Sequence, residues 1–450
     1  DRDLSREAER ERTTMNLALR TSPSGVRSEL NASLASYGAQ PAWAINPTLG
    51  NDNNTGTPLA PLATMAELSA RLSAQLIRQA TTVSIVGSVT DSALLLSGVR
   101  FASGASLAFA GTRTVLVSGV TISVVQLSGF AFPWQITTAG IDWTSQPKGS
   151  QIRFSNATVS PIIEVIDANN VVVQPVTSGA AVTAPTTLLT ATVESVPSIL
   201  PPCVQAVQVS TDSTVFSALS FTDLAWSSGG CLLSGVGTLL QWCNLQVSGS
   251  VQWELSGFVR VVGCRFTLAT GAVYRVRSSP TQFLLNGCSI VCDSGASPSL
   301  IIQGGQAQLA QATFQNARLQ VLDQAYCQWG SSGMHFRNVS TPITIDGNSS
   351  LIGINTSAPI NGGGGGLAGT NVGVAITINT GRLLFSGAAS KPTMTATAGQ
   401  DVRLGAGGSL LTYASIAVGG RVDLTVDGVP PALTSTTLVR AAIATFGQIG

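Results

Sequence analysis

Two acidic residues, Asp323 and Asp346, stand 23 residues apart in a stretch where carboxylates are scarce. Between residues 216 and 360 the acids are Asp223, Glu254, Asp293, Asp323 and Asp346. A structural repeat near that spacing would bring Asp323 and Asp346 onto neighbouring coils, where stacked carboxylates could share a proton or a cation. The same two residues also suit solvated corners, Asp346 above all because Gly347 follows it. The corner reading is preferred, so no residue is assigned a catalytic role, and no metal or cofactor is expected. The single histidine, His335, excludes most histidine-based catalysis and multi-histidine metal sites. It lies between Met334 and Phe336 in an alternating triplet, so it is expected to point outward and be exposed. Trp226, Trp242, Trp253, Trp329, Tyr274 and Tyr326 offer a glycan-stacking surface, but such aromatics fit interior ladders or subunit contacts better. Seven cysteines occur without paired CxxC spacing, which argues against a zinc site and a disulfide scaffold. Cys243, Cys264 and Cys288 are expected as reduced thiols stacked in the interior, acting as small hydrophobes.

The elements that position these residues follow from composition. Charged residues are 10% of the 450, against about 25% in an average soluble domain. Helices on a surface need Glu and Lys on their outer faces, and this chain has two lysines, Lys148 and Lys391. Forty-seven glycines with abundant Ser, Thr and Val suit short strands joined by small-residue turns. A net charge of +1 excludes an electrostatic nucleic-acid binder. No apolar run approaches the ~18 residues of a membrane helix, so no membrane insertion is expected. The first residues show no secretory-leader pattern.

Short apolar-polar-apolar triplets recur along the chain. Leu219-Ser220-Phe221, Cys243-Asn244-Leu245, Cys264-Arg265-Phe266, Cys288-Ser289-Ile290, Ala312-Thr313-Phe314 and Met334-His335-Phe336 follow one another at intervals of 24, 21, 24, 24 and 22 residues. Val99-Arg100-Phe101 and Val120-Thr121-Ile122 precede them. A repeat near 22 residues without an internal helix implies a solenoid of β-coils. Its interior ladder is expected to be Phe221, Leu245, Phe266, Ile290, Phe314 and Phe336, with the three cysteines beside it.

The fold expected is therefore all-β, a parallel β-helix solenoid with accessory parts. Residues 1–40 hold a charged helical N-terminal arm; residues 1–30 carry twelve of the chain's charged groups, six of each sign. Residues 41–128 open the solenoid and include a capping helix over 64–80. Thr64 and Glu67 form its capping-box signature, and Met65, Leu68, Leu72 and Leu76 its apolar stripe. Prolines punctuate strand-like runs over 129–203, which are expected as a β-rich insertion. Residues 204–430 form the main β-helix and 431–450 a C-terminal tail. The glycine run at 362–366 is expected as a long corner, since the Lys-Ser/Thr of a phosphate loop is replaced by Leu367-Ala368.

The run Trp43-Ala44-Ile45-Asn46-Pro47, with Gly50-Asn51-Asp52, Thr55-Gly56-Thr57 and Pro61-Leu62-Ala63-Thr64 ahead of a helix, resembles the opening of right-handed parallel β-helix (pectin-lyase-like) proteins. More narrowly, it is similar to those of tailed bacteriophage virions, as is Gly149-Ser150-Gln151-Ile152-Arg153-Phe154 within the insertion. The resemblance implies a homotrimeric spike or fibre on the virion, held to other virion proteins by the N-terminal arm and serving attachment to a host-surface glycan or receptor. Enzymes of the wider fold use clustered carboxylates, and this sequence lacks the adjacent Asp-Asp, the His-Gly and the Arg-x-Lys of the polygalacturonase-like pattern. A non-enzymatic structural protein is therefore expected. The alternative is a glycan-degrading tailspike or polysaccharide lyase or hydrolase using carboxylates on the β-helix face.

Overall fold

The computed structural model describes residues 42–354, 367–386, 402–412 and 422–424, apart from positions 74, 90, 93, 103, 127–132, 148, 156–157, 177–187, 196–197, 201–202, 210–218, 227–230, 234–236, 248–252, 256–257, 270–271, 278–281, 293–298, 330–333, 340–341 and 373–375. The expected arm at 1–40, the tail at 431–450, the glycine run at 362–366 and Asp293 lie outside the described residues. No helix among the described residues is long and apolar enough to cross a membrane.

The short strands stack coil upon coil into three parallel columns. The first runs from Ala42–Ile45 through Ala80–Ile85, Ser106–Ala110, Leu219–Thr222, Thr238–Gln241, Val259–Val262, Gln282–Asn286 and Gln306–Ala310 to Tyr326–Trp329 and Ser349–Ile354. The second runs from Leu76–Ile77 and Leu94–Phe101 through Cys203–Val209 to Ser299–Gln303, Arg318–Leu322 and Ile343–Ile345. The two long strands Ile376–Ser386 and Val402–Thr412 turn the corner between these columns and merge them into one 22-stranded sheet. The third column has eight strands, Ser198–Leu200 to Leu367–Val372. Alternation places Val259 and Val261 inside while Arg260 faces out, and the same rule repeats in each coil.

Interior ladders supply the cohesion. Phe109, Phe221, Leu240, Val261, Leu285, Leu309 and Trp329 stand in register in the first column and are all buried. Leu245, Phe266, Ile290, Phe314 and Phe336 do the same in the third. Phe221 does not belong to that second ladder, contrary to the triplet spacing. The residue paired with Leu245 is Trp226. Leu219–Thr222 and Leu224–Trp226 are separated by the single corner residue Asp223, so two similar triplets compete and the interval selects the wrong one.

That corner is built alike in successive coils. Asp223, Trp242, Gly263, Gly287 and Gln311 each join a first-column strand to a third-column strand with φ between 51° and 62°. Their amides donate to the next coil, as Asp223 to Gln241, Trp242 to Val262 and Gly263 to Asn286. Gly263 is required there, because a Cβ would come within 2.2 Å of the Trp242 ring stacked over it.

The capping helix spans Met65–Leu72, not 64–80. Thr64 is the N-cap and accepts from the Glu67 amide at 3.2 Å, but the Glu67 carboxylate pairs with Arg71 and the Thr64 amide donates to Asp52. The helix stops because Leu76 and Ile77 are drawn into the second column, opposite Arg100 and Phe101. Met65, Leu68 and Leu72 close the end of the core.

The insertion is a closed six-stranded antiparallel barrel: Val115–Gln126, Trp134–Thr137, Gln151–Phe154, Val159–Val165, Asn170–Val173 and Leu189–Glu194. Ile122, Trp134, Trp143, Ile152, Phe154 and Val193 fill it. The Val120-Thr121-Ile122 triplet is therefore a barrel strand and not a solenoid coil, while Ser198–Leu200 is solenoid. Both expected limits of the insertion, 129 and 203, lie too far along the chain. An apolar-polar-apolar triplet is the same signature in either kind of sheet, which is why the first limit was displaced.

Candidate functional site

The paired-carboxylate reading is the first to place. Asp323 and Gln324 turn the corner between the second and first columns, with φ of 55° and 63°, and Gly347 and Asn348 do so in the next coil. Gly347, not Asp346, lies over Asp323: a Cβ on Gly347 would meet the Asp323 amide nitrogen at 2.6 Å. The two acids are thus out of step by one residue. Asp323 accepts from the Gln303 side-chain amide. Asp346 accepts from the Thr380 hydroxyl, the Gly347 amide at 2.7 Å and the Asn379 side chain at 3.1 Å. The Thr380 hydroxyl foremost, then the other donors, hold the Asp346 carboxyl below its ordinary range, the reverse of a shared-proton dyad. No group of three or more His, Cys, Asp or Glu among the described residues is arranged to hold a metal.

The aromatics separate into classes. Trp329 and Tyr274 are interior, Tyr274 edge-on to Phe266 with centroids 4.7 Å apart. Trp242 occupies a corner. Tyr326 is 37% exposed on the outer face of the first column, and its hydroxyl accepts from Gln328 at 2.8 Å. The side chains of Trp226, Trp253 and Glu254 lie outside the described residues. Cys243, Cys264 and Cys288 are free, buried and stacked immediately before three third-column strands. Their thiols donate to carbonyls, Cys243 to Phe221 at 3.3 Å and Cys288 to Asn286 at 3.3 Å. Burial pushes the Cys264 thiol well up, so it stays protonated and inert.

His335 departs from expectation. It points outward from the third column, in register with Thr313, yet is 1% exposed. Burial, and secondarily the Arg337 charge, push its pKa down to about 3. The outer face of this column is where the barrel docks. Arg113 bonds Asp223 at 2.8 Å, the Ser195 carbonyl at 2.7 Å and the Trp242 carbonyl at 2.8 Å. Fully buried Gln174 donates to the Gln311 carbonyl at 2.8 Å and accepts from the Thr313 hydroxyl. Arg337 pairs with Glu164 of the barrel at 2.8 Å, and Ile163 and Val172 pack on Val291. Sequence reasoning missed Arg113, Gln174 and Arg265. The signal for Arg265 was present, an arginine at an outward triplet position otherwise held by Asn244, Ser289, Thr313 and His335.

Between the docked barrel and the third column lies a cavity of ≈ 270 Å³. Ile162, Glu164 and Val165 line it from the barrel, and Arg265, Val291 and Gln315 from the solenoid. Arg265 is 5% exposed; its guanidinium donates to the Ile162 carbonyl and, at 3.4 Å, to that of Ile163, and its Nε to Thr267 at 3.1 Å. Gln315 accepts from Arg337 at 2.9 Å, which continues to Glu164, so a hydrogen-bonded chain borders the cavity. A second, shallower recess on the first column is formed by Leu284, Gln306, Gln308, Tyr326 and Gln328.

No family model matches the chain, and no curated protein matches its sequence. Among solved structures, the chain is similar to the GH136 lacto-N-biosidase from Eubacterium ramulus, with 11% identity, 81% of this chain and 67% of that one covered and a TM-score of 0.29. It is also similar to the Gp54 tailspike of Acinetobacter baumannii bacteriophage AP22, determined in complex with A. baumannii capsular saccharide (10% identity, 79% and 75% covered, TM-score 0.27). A third is the tailspike protein gp49 from Pseudomonas phage LKA1 (10% identity, 78% and 74% covered, TM-score 0.22). The β-solenoid itself is established by the strand register within this chain, and phage tailspikes are among the solved structures it is similar to.

Proposed function

We propose that this chain is a non-enzymatic spike or fibre of a phage or phage-like particle, a homotrimer that attaches the virion to host-surface glycan. The observation that carries binding over cleavage is the employment of the solenoid carboxylates whose side chains are described. Asp223 is tied to Arg113, Asp323 to Gln303, and Asp346 to Thr380 and Asn379. Each holds a corner, and a hydrolase needs two facing carboxylates with different titration. The outer face of the first column supports a glycan as ligand. Ser220, Leu239, Arg260, Leu284, Gln308 and Gln328 stand there in register, with Tyr326 beside them. Amides and an exposed tyrosine ring match vicinal hydroxyls and the apolar face of a sugar. Assembly is supported by apolar side chains left on the surface, Val86 and Leu95 among them.

The test is to incubate purified protein with host cells and with their extracted capsule and lipopolysaccharide. Saturable retention without released oligosaccharide is expected, with a trimer mass by light scattering. Release of oligosaccharide, abolished by Asp323→Asn or Asp346→Asn, would replace this reading with the glycan-degrading one.

A further inference from the structure

We infer that the cavity between the barrel and the third column is a second carbohydrate site, sized for one pyranose unit, such as a branch or terminal residue of the surface polysaccharide. The inference rests on the glycan-attachment reading but concerns a different face of the molecule. Three features carry it. The volume, ≈ 270 Å³, falls just below the roughly 300–1,000 Å³ of pockets for drug-sized ligands, so it suits a single ring and not a chain of them. The lining divides between apolar side chains, Val165 from the barrel and Val291 from the solenoid, and the planar polar groups of Arg265, Glu164 and Gln315. That division matches a pyranose, whose CH face is apolar and whose edge presents adjacent hydroxyls that each donate and accept.

The third feature is rigidity. Arg265 is buried and braced by two barrel carbonyls and Thr267, and Gln315, Arg337 and Glu164 brace one another. Polar groups already held in place lose little freedom when a ligand arrives, which favours a weak but specific monosaccharide site. The walls come from two substructures locked together by Arg113 and Gln174, so the site exists only where the barrel is docked.

The experiment uses the full chain, saturation-transfer NMR with glucose, galactose, N-acetylglucosamine and glucuronate as probes, and binding of the extracted polysaccharide. At least one probe is expected to bind at about millimolar Kd. Val165→Trp fills the rim from a position that is 39% exposed, and is expected to weaken that probe tenfold or more with an unchanged unfolding midpoint. Pro147→Trp, at another residue lining the cavity, is expected to do the same, while Leu59→Ala, at an exposed residue that lines neither recess, leaves the monosaccharide unaffected. If the polysaccharide binds but no probe does, or both tryptophan variants bind the probe as the parent does, the second site is refuted and the attachment reading stands. If neither polysaccharide nor probe binds the parent, both fall.

Discussion

His335 is the one histidine of the chain, and between pH 7 and pH 4.5 its side chain gains most of a positive charge when the chain is unfolded. In the folded chain it does not charge at all over that range, because its pKa sits at about 3 against an ordinary 6.5. The groups around it are Arg337, two residues along the same strand, and Glu164, which reaches Arg337 from the barrel. The folded value lies below the unfolded one, so below pH 6.5 the unfolded state binds a proton that the folded state refuses. Stability is therefore full above pH 6.5 and falls as the pH falls, until the folded histidine itself titrates. Each unit is worth about 1.4 kcal/mol. The loss is then about 1 kcal/mol at pH 5.5 and about 3 kcal/mol at pH 4.5. Urea unfolding at pH 7.0, 5.5 and 4.5 measures it, for the parent and for His335→Gln. The parent is expected to lose stability on this schedule and the variant to lose markedly less, its remaining slope coming from carboxyls such as Glu194 and Asp346 that the fold holds below their ordinary range. A parent equally stable at pH 7.0 and 4.5, or a variant with the parent's slope, would refute the burial of a neutral imidazole beneath the barrel.

Phe314→Ala removes a fully buried ring stacked on Phe336 at 4.6 Å and should cost about 3–5 kcal/mol in chemical unfolding. Arg113→Met leaves the Asp223 carboxylate and three carbonyls without their guanidinium; a loss of about 3 kcal/mol is expected, seen first as protease cleavage within 115–194. Cys243, Cys264 and Cys288 should resist a thiol reagent in the native protein and react quantitatively once it is denatured without reductant. A disulfide among them would overturn the stacked-thiol arrangement.

Cys264-Arg265-Phe266 and its successors were legible because each coil from 243 to 336 repeats one local rule, and a ladder is a local rule repeated. The Thr64 N-cap was legible for the same reason, being decided within four residues. Trp226 was confused with Phe221 because a one-residue corner leaves no gap in the hydrophobic pattern. Val115–Gln126 was read as solenoid because alternation does not record whether a strand's partners are parallel or antiparallel. The burial of His335 and of Arg265 was beyond sequence reasoning for a different cause, although the arginine itself stood out in its triplet. Whether an outward residue meets water depends on what docks there, and the barrel arrives from residues more than a hundred positions away.

The barrel leaves and rejoins the solenoid at a single point. The Ser195 amide donates to the Thr114 carbonyl at 2.8 Å, and the Thr114 amide to the Ser195 hydroxyl at 2.9 Å, so the two connecting strands are stapled where they meet. They stand at the corner that in later coils is one left-handed residue, and Phe109 still stacks on Phe221 across the excursion at 5.0 Å. The entropy of closing an excursion grows only slowly with its length, by about 0.6 kcal/mol per doubling, and this one folds as a barrel whose ends lie side by side. The corner therefore behaves as a socket. A lineage could exchange the barrel for another cassette, and with it whatever the docked face holds, without re-evolving the shaft that carries it.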